Sequence, residues 1–196
     1  CHFAAPLGDL MTAIRTTHTG YFTEADCQLD DLIALASTQT SLTDYPHAVD
    51  VQSNVLIYDS VGLAPVIADL ASCRELEAEL SRALMDGPGI VVFKKAFTNT
   101  DVVDRATRAF FQIIEDEKSA EGQKGDHFGK PGANDRVWNA LEKLAVLDPD
   151  TFVSYYRNDI IALISRAWLG PNYQVTSQIN VVNPGGAAQT VHRDYH

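Results

Sequence analysis

Apolar residues fall into helical spacing most clearly from Ser72 onward, where Leu76, Leu80, Ala83 and Leu84 mark one face. Ser72 with Glu75 has the pattern of a capping box, and Gly87-Pro88-Gly89 should end this helix because proline cannot continue it. The run Gly89 to Phe93 (GIVVF) is rich in β-branched residues and predicts a strand buried on both faces. A longer amphipathic helix is expected over Thr100 to Lys118, with Val102, Val103, Ala106, Phe110, Ile113 and Ile114 on one stripe. Two more helices are predicted near Asp135 to Leu144 and Asp150 to Trp168. The second has Val153, Tyr156, Ile160, Leu163, Ile164, Ala167 and Trp168 on one face, with Gly170-Pro171 closing it.

Upstream the pattern is fainter. Thr23 to Ala36 fits a short helix with Thr23 and Asp26 at its cap and Leu29, Leu32, Ile33 and Ala36 on its buried side. Asn54 to Tyr58 (NVLIY) is compatible with a strand. Residues 119–134 break the pattern with four glycines and one proline, long enough to suggest a loop near a substrate entrance with His127, Lys124 and Lys130 as its polar candidates. Helices with isolated strands therefore come first and a strand-rich end follows. That order predicts an α+β fold with helices outside a sheet, in a single domain over 1–196.

The strand-rich end changes character. Over 173–183 the odd positions (Tyr173, Val175, Ser177, Ile179, Val181) are mostly apolar, and the even positions include Gln174, Thr176, Gln178 and Asn180. Residues two apart share a strand face. After Pro184-Gly185-Gly186, residues 188–196 place Thr190, His192, Asp194 and His196 on one face. A three-residue hairpin loop would set Thr190 opposite Asn180 and His192 opposite Gln178. A polar inner face is costly in a dry core, so a solvated or ligand-filled pocket is expected there.

An imidazole and a carboxylate two apart suit a first-row metal with mixed nitrogen and oxygen ligands, as in the 2-His-1-carboxylate triad of non-haem Fe(II) oxygenases. His196 lies on the same face but four residues from His192, about 13 Å along a strand. Metal–nitrogen bonds of about 2 Å cannot span that separation. The third ligand is therefore expected from elsewhere, beyond the end of the chain.

Composition narrows the class. The net charge is −11, which argues against a nucleic-acid partner and offers no basic stripe for a membrane surface. Cys1, Cys27 and Cys73 are odd in number and widely spaced, so neither a disulfide framework nor a zinc motif is expected, and a cytoplasmic setting is. No apolar run approaches 18 residues and no signal-peptide pattern opens the chain. The first residue is Cys1 and the last lies in an expected strand, so the chain reads as a fragment or a processed form.

Gln178-Ile179-Asn180-Val181, the Asn183-Pro184-Gly185 turn and His192-Arg193-Asp194-Tyr195-His196 together resemble the phytanoyl-CoA dioxygenase family of Fe(II)/2-oxoglutarate-dependent oxygenases. The upstream Gly87–Phe93 run and the helix after it look like the same family's N-terminal half, so the resemblance covers roughly residues 70–196. It implies a double-stranded β-helix (jelly-roll, cupin-like) core with flanking N-terminal helices, only partly contained in this chain. It implies Fe(II) held by His192 and Asp194, with 2-oxoglutarate as co-substrate contacted by Asn180 and, as less certain neighbours, Gln178 and Thr176. Related halogenases replace the carboxylate with a small residue, so Asp194 favours hydroxylation of a small-molecule or acyl substrate. The family's distal His and its 2-oxoglutarate-binding Arg have no counterpart in the chain, so the chain alone is expected to be inactive. A non-catalytic barrel module that binds a ligand or partner, and a cupin-like metal enzyme without 2-oxoglutarate, are the competing readings.

Overall fold

The computed structural model describes residues 23–121 and 132–186. The chain divides into a unit of residues 1–39 and a larger unit of residues 40–196. In the first, Thr23 and Asp26 form the expected capping box, with the Thr23 amide and hydroxyl each donating to Asp26 Oδ2 at 2.7 Å. The box starts a three-residue 3-10 turn, Glu24–Asp26, and the helix proper (α1) is Leu29–Ala36. Leu29, Leu32 and Ile33 are exposed rather than buried. The 3-10 turn, the one other described element of this unit, is too small to cover them.

The larger unit has two cores. A strand at Asp50–Gln52 (β1) pairs antiparallel with Val55–Asp59 (β2), and β2 pairs in parallel with Val91–Lys94 (β3). Between β2 and β3 run Ser60–Ala68 (α2) and Leu70–Met85 (α3). Leu56, Tyr58, Leu76, Leu80 and Ala83 form the first core, with Leu163 reaching in from further along the chain. Inside it Glu79, 2 % exposed, accepts from Tyr58 Oη at 2.9 Å and from the His47 amide at 3.2 Å. His47 Nδ1 lies 2.7 Å from the same carboxylate. Burial, reinforced by the Glu79 carboxylate, pushes the Tyr58 phenol far above its ordinary pKa.

Three sequence expectations shift here. The cap of α3 is Asp69, whose carboxylate accepts from the Ser72 amide at 2.9 Å, so the helix starts two residues before Ser72 and not on a Ser72–Glu75 box. Strand β3 begins at Val91 and is only half-covered, with Val92 39 % exposed. It is the edge strand of a three-stranded sheet, and its Val92 and Lys94 side is exposed while Val91 and Phe93 are half-buried. Helix α2 and strand β1, which the sequence reading left out, complete this half.

The second core gathers Asp101–Glu121 (α4), Asn134–Val137 (β4), Ala140–Leu147 (α5), Pro149–Tyr156 (α6) and Ile179–Val182 (β5). The stripe Ala106, Phe110, Ile113 and Ile114 of α4 packs with Val137, Ala140 and Leu144. A helix was expected from Asp135, but residues 134–137 are a strand. Asn139 then turns in the left-handed conformation (φ 52°) before α5 begins. The single helix expected over 150–168 is two, α6 and Asp159–Leu169 (α7). Asn158 breaks it, extended at φ −112° and accepting from the amides of Ile160 and Ile161 at 3.0 Å as the cap of α7. The break turns Val153 and Trp168 outward, 55 % and 50 % exposed.

The fold is thus mixed α+β with two small sheets, and no closed barrel is present among the described residues. Cys27 and Cys73 are free. Among the described residues no helix is long and apolar enough to cross a membrane.

Candidate functional site

Strand β5 occupies only the middle of the stretch expected to be extended, but the alternation within it holds. Ile179 and Val181 are half-buried against the second core, while Gln178, Asn180 and Val182 are exposed on the other side. Thr176 is also exposed and precedes the strand. The candidate contacts Gln178 and Asn180 therefore share an open polar face, as their spacing predicts.

The described partner of β5 is β4. In register, Asn134 opposes Val182, Asp135 opposes Val181, Arg136 opposes Asn180, and Val137 opposes Ile179. Directly opposed residues place their Cβ atoms about 5 Å apart on the same side of the sheet. Val137 is fully buried in the helix-packed core, so Arg136, one residue away, belongs to the face that carries Asn180. Its guanidinium stacks over the Trp138 ring, 5.2 Å from the centroid. On that face too is Asn134, whose buried Oδ1 has no hydrogen-bond partner among the described residues. The Arg136 guanidinium and the side-chain NH2 of Asn180 opposite it are a donor set suited to a carboxylate, whereas the Asn134 oxygen is an acceptor that calls for a donor.

The sequence reading missed Arg136. The signal was present, since Asn134, Arg136 and Trp138 alternate with Asp135 and Val137 as strand faces do. Assigning residue 135 to a helix start hid it.

The other face of β4 holds the end of β5 in place. Asp135 Oδ1 lies 2.8 Å from Lys118 Nζ of α4, and Asp135 Oδ2 accepts from Asn183 Nδ2 at 3.0 Å. Burial alone would raise the Asp135 pKa, but the bonds from Asn183 and Lys118 and the lysine charge outweigh it and hold the carboxyl below its ordinary value. A carboxyl so lowered adds stability that is present above the unfolded carboxylate range and lost as pH falls through the folded value.

Asn183 opens the expected turn. Its carbonyl accepts from the Gly186 amide at 2.8 Å, Pro184 takes the second position, and Gly185 has φ 86°, the arrangement of a type II turn. Gly186 has no room for a side chain, because an added Cβ would meet the Ala133 carbonyl oxygen at 2.7 Å and Val182 Cγ1 at 2.9 Å. Gly186→Ala should therefore destabilise the protein by about 1–3 kcal/mol, the usual cost of overpacking. A urea midpoint unchanged from the wild type would show that the turn yields freely.

Residues beyond 186 lie outside the described residues, as do 122–131. His192, Asp194 and His196, the expected pairing of 188–196 with 173–183, and the loop candidates Lys124, His127 and Lys130 all fall there. Among the described residues no three His, Cys, Asp or Glu side chains gather as a metal site. Two shallow depressions, about 370 Å³ beside Leu84 and Trp168 and about 500 Å³ beside Ile113 and Val146, are lined by none of the candidate residues.

Comparison with known families decides the kinship. The family model for phytanoyl-CoA dioxygenase matches residues 85–196, more than half of the chain. The chain belongs to the phytanoyl-CoA dioxygenase family. The match takes in β3, the second core, the turn and the His192–Asp194 segment, while the capped helix from residue 70, part of the resemblance read from sequence, lies mostly before it. Phytanoyl-CoA dioxygenases are Fe(II)/2-oxoglutarate-dependent oxygenases, so oxygenase chemistry is the general kind of activity to which this chain is related. No curated protein and no solved structure matches it.

Proposed function

We propose that the protein is an Fe(II)- and 2-oxoglutarate-dependent dioxygenase that hydroxylates an unactivated C–H bond of a small-molecule or acyl substrate. The observation that carries the reading is the family match over residues 85–196, which contains His192-x-Asp194. In this reading the core is a double-stranded β-helix to which β4 and β5 contribute, within a single domain of a cytoplasmic protein.

The residues present fit the two groups. His192 and Asp194 are a nitrogen and an oxygen donor of the kind Fe(II) takes in a facial triad, with a third ligand supplied from elsewhere. Asn180 and Arg136, opposed on the open face of β5 and β4, supply donors for a carboxylate of 2-oxoglutarate. Gln178 and Thr176 line the approach for co-substrate or substrate. When bound together with O₂, iron and 2-oxoglutarate supply an oxidant that inserts one oxygen atom into a C–H bond, while 2-oxoglutarate becomes succinate and CO₂. The chain's own part is positional. Arg136, steadied by Trp138, orients the anion, and the packed face of Val137 and Ile179 keeps the strand pair from shifting beneath it.

The test is Fe(II)-dependent succinate release from 2-oxoglutarate by the full-length protein, screened over small polar and acyl substrates. Arg136→Met should raise the KM for 2-oxoglutarate about 10- to 100-fold, the equivalent of losing one charge-assisted hydrogen bond of about 1.5–3 kcal/mol. A wild-type KM in that variant removes Arg136 from the co-substrate site. No succinate with any substrate would count against the reading itself.

A further inference from the structure

We propose that the groove between α4 and α5 is a docking surface for a basic amphipathic helix of a partner protein. This inference is separate from the oxygenase reading and does not rest on it. The groove encloses about 500 Å³ and shares no residue with the Arg136–Asn180 face. The buried Ile113 of α4 forms its floor, and Val146 and Leu147 of α5 line it at 84 % and 45 % exposure. Helix α5 is already anchored in the second core through Ala140 and Leu144, so the fold does not require Val146 to be apolar. A single exposed apolar side chain is ordinary, but an adjoining group of them along a groove marks a contact surface.

Charge selects the occupant. Asp116, Glu117, Glu142 and Lys143 complete the lining, three carboxylates against one ammonium. Lys143 is taken up by Glu117, to which its ammonium donates. Asp116 accepts from the neutral Gln112 side chain at 2.8 Å, which leaves its charge uncancelled. Glu142 adds a second exposed carboxylate from α5. Ile113 lies one helical turn from Asp116 and Glu117, and Glu142 lies one turn from Val146, so each wall sets an apolar turn beside an acidic one. That pattern complements a helix whose apolar anchors are flanked by Lys or Arg. The same charge repels nucleic acid and an anionic membrane surface. A second copy of this chain, at net charge −11, would bring like charges together. The groove is also open and shallow, which suits the side-chain anchors of a helix better than a small molecule that must be enclosed.

The experiment titrates the full-length protein into a fluorescein-labelled peptide of alanine, leucine and lysine and reads fluorescence anisotropy. The peptide has about 15 residues, enough to form a helix once docked, with its leucines on one face and lysines beside them. Binding should saturate, and Val146→Asp, which sets a carboxylate among the apolar anchors, should weaken it about tenfold or more. Glu142→Gln should weaken it about two- to fivefold, the range of an exposed ion pair, and only at low salt. Glu115→Gln, on α4 but outside the groove, should leave it unchanged. All three positions are exposed, so the variants should melt as the wild type does. A peptide with serine in place of each leucine should bind about tenfold more weakly. If Val146→Asp melts early, the serine peptide and Glu142→Gln decide. Absence of saturable binding would overturn the proposal. So would equal binding of the leucine and serine peptides, or equal losses in Glu115→Gln and Glu142→Gln, because the attraction would then belong to the acidic surface as a whole. A dimer in sedimentation that Val146→Asp dissociates would also overturn it, since a second copy would then be the occupant.

Discussion

Replacing His192 or Asp194 with alanine in the full-length protein should lower turnover by more than about 100-fold. The bound follows from outer neighbours of metal ligands, which already cost 10–100-fold when removed. A direct ligand should cost more, since a facial triad reduced to two ligands holds Fe(II) weakly and no longer fixes the open positions. The two variants should fail alike, in iron retention as well as in rate, which separates a metal role from general acid–base chemistry. His196→Ala serves as the contrast. An extended run, as the sequence predicts, would keep His196 from sharing an ion with His192 and Asp194, so in this reading iron retention in that variant should stay near wild type. A His196→Ala variant that loses iron as completely as His192→Ala would mean that residues 192–196 are not extended as their alternation suggests.

The second large effect lies under the site. Leu144 is fully buried at the centre of the core that packs α4 and α5 beneath β4 and β5. Leu144→Ala removes its contacts with that core and leaves a cavity, at a cost of about 2–5 kcal/mol. Native domains hold only about 5–15 kcal/mol, so this one truncation would consume a large part of the total. Because Val137 and Ile179 belong to the same core, the strand pair bearing Arg136 and Asn180 should loosen with it. Urea unfolding should show a lower midpoint at unchanged slope, and KM for 2-oxoglutarate should rise at temperatures where the protein is still folded. A loss below about 1 kcal/mol would show that the core collapses around the gap.

Helical stripes were legible wherever one apolar face met a single core. The stripe from Val102 to Ile114 is the plainest case, and α4 follows it closely. Reading failed where a short element interrupted a longer periodic run. Asn158 leaves the apolar spacing of 153–168 almost undisturbed, yet its side chain starts a new helix and turns Val153 and Trp168 to solvent. Strand β4 is four residues long, too short for its alternation to outweigh the helical spacing downstream. The apolar side of α1 marks the same limit, because spacing states which residues share a face and not whether anything covers it.

At the candidate site the strand alternation of Gln178 and Asn180 and the turn at Pro184-Gly185 could be read directly from residue types. Arg136 and Asp135 could not. Their relation to Asn180 and Asn183 exists only through pairing across about 45 residues of sequence, and no local pattern encodes which strand a short segment will choose. The family match adds the kind of chemistry, and the pairing adds candidates for the side chains that would orient it.

The most direct test of the central claim is the visible spectrum of the full-length protein mixed with Fe(II) and 2-oxoglutarate under argon. The oxygenase account predicts a weak metal-to-ligand charge-transfer band that appears only with both additions and vanishes in His192→Ala and Asp194→Ala. A spectrum without that band at saturating Fe(II) and 2-oxoglutarate would contradict it.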